Sequence, residues 1–63
     1  MFKEYLLEWL LPEGKLFKQH FYTREFAFLA FSTTALGNFS VTLYGITQDD
    51  ECVKICSYTR EYA

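Results

Sequence analysis

The chain has 63 residues, a length at which folding hides only about 60% of the surface an unfolded chain exposes, so it reads as one domain, 1–63, of marginal stability. Six Lys plus Arg against eight Asp plus Glu give a net charge of −2, opposite in sign to the usual nucleic-acid binder and too mild for an acidic mimic of nucleic acid. Seven Phe, five Tyr and one Trp are more aromatic surface than a core with one short helix can hide, and such a surplus marks a surface that another molecule covers.

In chain order, Phe2, Tyr5, Leu6, Trp9 and Leu10 recur at helical spacing and predict an N-terminal helix. Pro12 and Gly14 should stop it at about Leu11. Glu4 and Glu8 interrupt this apolar run, it is far below the roughly 20 residues of a spanning helix, and no small-residue cleavage site follows it. The expectation is a cytoplasmic protein with reduced cysteines and no membrane contact. From Lys15 onward aromatic and β-branched residues dominate, predicting strands at about 15–22, 25–32, 38–47 and 52–58. Gly37-Asn38 and Gln48-Asp49-Asp50-Glu51 are the clearest turn signals. Thr23-Arg24 lacks the Gly or Asn of a tight hairpin, leaving one long bent strand as the alternative for the first two. The expected fold is α+β, one N-terminal helix packed on one face of a three- to four-stranded antiparallel meander.

Alternation then divides the sheet into faces. Phe26, Phe28, Ala30, Phe39, Val41, Leu43, Val53 and Ile55 are assigned to the helix side, and Ala27, Leu29, Phe31, Tyr44, Ile46, Cys52, Cys56 and Tyr58 to the other, with Ser40, Thr42 and Lys54 among them. A second face this apolar is not a solvated one. The functional expectation is a non-enzymatic, accessory or regulatory protein-binding module acting through an aromatic-rich sheet face. Its partner is a second copy, a homodimer joined through that face or an edge strand, or a larger protein. Phe31, Tyr44, Ile46 and Tyr58 are the expected anchors. Tyr22-Thr23-Arg24-Glu25-Phe26-Ala27 returns as Tyr58-Thr59-Arg60-Glu61-Tyr62-Ala63, which adds Arg24 and Arg60 to the candidates, since Tyr and Arg are enriched at binding hot spots.

Catalytic and metal chemistry find little footing. Cys52 and Cys56, four apart on one strand, would lie about 13 Å apart on one side, beyond the reach of a disulfide. With His20 the only imidazole, they make a poor zinc site. No Ser, Cys or Lys has the setting of an activated nucleophile, and no cofactor motif is present. The alternative function is single-stranded nucleic-acid binding by stacking on Phe31, Tyr44 and Tyr58 beside Lys54. Against it stand the dispersed, outnumbered basic residues and the lack of the second helix and glycine-aromatic motif of the RNA-recognition fold.

Overall fold

The computed structural model describes residues 2–37 and 40–59. Four strands and one helix follow in the order β1 (Glu4–Leu10), β2 (Leu16–Phe21), α1 (Arg24–Gly37), β3 (Ser40–Ile46) and β4 (Cys52–Thr59). The N-terminal segment is therefore a strand, and the helix sits after two strands rather than before them. The residues that suggested a helix serve a strand equally well: Tyr5, Leu7 and Trp9 alternate with Glu4, Leu6, Glu8 and Leu10. What decides between the periods is the next segment, which offers a hairpin partner. The Gly14 N–H donates to the Leu11 carbonyl and the Leu11 N–H to the Lys15 carbonyl, both at 2.9 Å. Gly14 has φ 96°, a conformation open to glycine, and Pro12 supplies the fixed φ of a turn's second residue. The apparent helix stop is thus a hairpin turn.

The second correction concerns 25–32, read as a strand and found inside α1. Ala27 donates to the Thr23 carbonyl at 3.1 Å, opening the helix. Ala27, Leu29, Ala30, Ala35 and Leu36 are strong helix formers, and together they outweigh the short Phe26-Phe28-Ala30 alternation. Ala27, Phe28, Phe31 and Ala35 line the side of α1 that packs on the sheet. The other strand positions agree with the sequence pattern to within a few residues.

The sheet order is β2-β1-β3-β4, antiparallel throughout. It is two hairpins set side by side, not a meander, with α1 carrying the chain from the edge strand β2 over β1 to β3. Leu7 pairs with Gln19 on one side and Leu43 on the other, and Trp9 with Phe17 and Val41. The core is the helix side of the two central strands, with Tyr5, Leu7, Val41 and Leu43 buried beneath a fully buried Ala27. Trp9 stacks on Phe17 with ring centroids 5.7 Å apart. Phe2 lies edge-on to Tyr5 at 5.9 Å and covers Gly45 so closely that a Cβ there would come within 2.5 Å of its ring. The Thr47–Glu51 turn joins β3 to β4 through Asp50 N–H to the Thr47 carbonyl, Glu51 N–H to the Thr47 hydroxyl, and a left-handed Asp50 at φ 65°.

β4 is irregular. Leu43 faces Cys56 but Tyr44 faces Lys54, so Ile55 is an extra residue, a bulge. It resets the alternation and sends Cys56 and Tyr58 to the helix side instead of the opposite face.

Candidate functional site

Two surfaces remain after the core is closed. The first is the face of the sheet away from α1. Cross-strand partners share a face, so this one carries Glu4, Leu6, Glu8 and Leu10 in β1, Leu16, Lys18 and His20 in β2, Thr42, Tyr44 and Ile46 in β3, and Cys52 and Lys54 in β4. Its two carboxylates are matched across strands. His20 Nδ1 donates to Glu4 at 2.7 Å, and Lys18 Nζ lies 3.6 Å from Glu8. Desolvation, followed by the nearby Glu8 charge, pushes the Tyr44 phenol pKa above its ordinary value. Beyond this face, Lys3 pairs with Asp50 at the β3–β4 turn. Ion pairs of this exposed kind contribute little stability. They do make the face a mixed polar surface in which Tyr44 is the only aromatic among the described residues, contrary to the expectation of an aromatic-rich one.

The second surface is the outward side of α1. Of the fourteen residues in the helix, only Arg24 and Glu25 are charged. Phe26, Leu29, Thr33 and Leu36 follow at intervals of three, four and three, which places them in one stripe along the side turned away from the sheet. The apolar members are exposed by 64% at Phe26, 62% at Leu29 and 78% at Leu36, and Tyr22, just before the helix, by 76%. Thr33 turns its hydroxyl back to the Leu29 carbonyl at 2.9 Å, so even the polar member of the stripe spends its donor on the helix itself. At the helix start the Arg24 guanidinium carbon sits 5.6 Å from the centroid of Phe28, beside a shallow open hollow bordered by Arg24, Glu25 and Phe28.

The expected anchors are not brought together. Tyr44 and Ile46 lie on the open sheet face. Phe31 is half-buried on α1 and packs on the core. Tyr58 is on the helix side of β4, opposite Val41. Arg24 begins α1, and Arg60 lies outside the described residues, so the two copies of the Tyr-Thr-Arg-Glu repeat begin in different settings, a bend before a helix and the end of a strand. Phe31, Tyr44 and Tyr58 likewise share no face on which bases could stack. Reading 25–32 as a strand put Phe26 on the helix side and Leu29 on the open sheet face, and gave Leu36 no role, so the three were not joined into one surface. The signal was there in the 3-4-3 spacing.

Cys52 is exposed on the open face and Cys56 half-buried on the helix side; neither is in a disulfide. Burial pushes the Cys56 thiol pKa up. Among the described residues no three His, Cys, Asp or Glu side chains gather as a metal site would require, and no helix is long and apolar enough to cross a membrane. The chain matches no family model, no curated protein and no solved structure.

Proposed function

We propose that this chain is a non-enzymatic protein-binding module of accessory or regulatory type, and that it binds through the outward side of α1. Self-association as a homodimer and docking onto a larger protein both fall within this reading. One observation supports it above the others: a helix that is apolar on both sides is the pattern of a buried helix, yet among the described residues α1 is covered on the sheet side alone. Three large apolar side chains in one row, with Tyr22 just before the helix, each more than three-fifths exposed, form a patch of the kind that marks interaction sites, unlike the scattered apolar atoms of any surface. The open sheet face is the weaker docking surface, since its carboxylates already have partners on the neighbouring strand.

Site-specific photocrosslinking tests the reading. A benzophenone amino acid in place of Leu29, in the cells that produce the chain, should give covalent adducts with protein, self or other. Phe26→Glu in the same chain should abolish them. Leu29 chains that form no adduct, or the same adducts with Glu at 26, would show that the outward side of α1 is not a docking surface.

A further inference from the structure

We infer that the molecule covering α1 is a second copy of this chain, the two helices packing antiparallel about a two-fold axis with Phe26 of each against Leu36 of the other and Leu29 of each against Thr33 of the other. The inference rests on the docking face argued above and names its occupant.

Spacing comes first. Positions 26, 29, 33 and 36 repeat three-four-three, the seam of a helix pair, in which such residues alternate as knobs facing holes. A two-fold interface must be complementary to itself. Here it is: reversing the stripe about its midpoint places Phe26 against Leu36 and Leu29 against the smaller Thr33, so that each contact pairs a larger side chain with a smaller one and occurs twice. Tyr22, exposed just before the helix, adds apolar surface beside each end of the stripe pair.

Charge sets the direction. The stripe contains no charged residue, and Glu25 is the carboxylate that borders it. Parallel helices would set the two Glu25 side chains next to each other. The antiparallel pair separates them by about 18 Å along the axis at ~1.5 Å per residue and also opposes the two helix dipoles favourably. A partner selected by charge would find nothing in this stripe to select.

Area sets the strength. An aromatic side chain buries about 150–250 Å² when fully covered, so covering the exposed parts of Tyr22, Phe26, Leu29 and Leu36 removes about 400–500 Å² per copy, or about 800–1,000 Å² in all. That falls short of the ~1,200 Å² at which stable specific interfaces begin and lies in the range of weak, reversible association.

Sedimentation equilibrium of the full chain under reducing conditions, from micromolar to millimolar concentration, is the test. The expected mass rises from one copy to two across this range and stops there. Phe26→Glu and Leu36→Glu should each remain monomeric throughout, weakening association at least tenfold with an unchanged circular dichroism spectrum, whereas Leu16→Glu on the open sheet face should dimerise like the parent. In a background of Cys52→Ser and Cys56→Ser, oxidising a mixture of Leu29→Cys and Thr33→Cys chains should give the mixed disulfide in preference to either symmetric one. A parent chain that stays monomeric at millimolar concentration overturns the inference, as does a Phe26→Glu chain that dimerises normally. If the parent is monomeric but Leu29 still yields Phe26-dependent adducts with another protein, the second copy is refuted and the docking face stands. If both fail, both are refuted.

Discussion

Gly45 is where one residue's absence of a side chain is used most directly. It sits in a central strand, a position where glycine ordinarily weakens a sheet, and the Phe2 ring occupies the space its Cβ would take. The ring reaches it because Lys3 N–H is tied to the Ile46 carbonyl at 2.9 Å, fastening the segment before β1 to the neighbouring strand. Gly45→Ala should therefore cost about 1–3 kcal/mol through displacement of the ring, and in a Phe2→Ala background the cost should largely vanish. Urea unfolding of the four chains of that cycle measures the coupling; additive effects would mean that the ring yields freely. The cysteines make a second residue-scale case. Cys56, half-buried with its pKa raised, holds less thiolate than an open cysteine near neutral pH, and the thiolate is the reactive form. Iodoacetamide should label Cys52 several-fold faster than Cys56 in the native protein, with the rates converging in denaturant. Equal native rates would contradict the placement of Cys56 beneath the sheet.

Among the elements, legibility followed the number of periods a segment satisfies. β3 and β4 were readable because Val41, Leu43 and Val53 alternate with Thr42, Tyr44 and Lys54, a rhythm that fits no helix. β1 was not, because Tyr5 and Trp9 belong both to a helical stripe with Leu6 and Leu10 and to one strand face with Leu7, and only the pairing with β2 distinguishes the two. Pro12 and Gly14 were read as punctuation correctly and as the wrong mark, since both residues end helices and both build hairpin turns. For α1 the alternating phenylalanines concealed a run of alanines and leucines. The open-face positions Tyr44 and Ile46 came through, because they depend on strand parity alone. Tyr58 did not, because the bulge at Ile55 changes parity within β4, and a bulge of this kind leaves no mark in the residue pattern. The surplus of apolar surface was legible as a quantity; its location on the helix required the fold.

The molecule as a whole is two layers thick, with Cα extents of 40 × 19 × 16 Å, and its core is the line where two hairpins meet. Leu7 and Leu43 are nearly inaccessible and directly opposed there. Leu43→Ala should cost about 2–5 kcal/mol, as much as a domain of this size holds in total, so thermal melting of that variant should show most of the population unfolded near physiological temperature. Each hairpin is local in sequence, whereas the β1–β3 pairing joins the two ends of the chain through α1. A lone hairpin is marginal in water, so neither half has a stable state to wait in. Closing that central pairing is the step on which folding rate depends, and a single backbone cut after α1 would turn folding from an intramolecular event into the encounter of two fragments, with a rate set by their concentration.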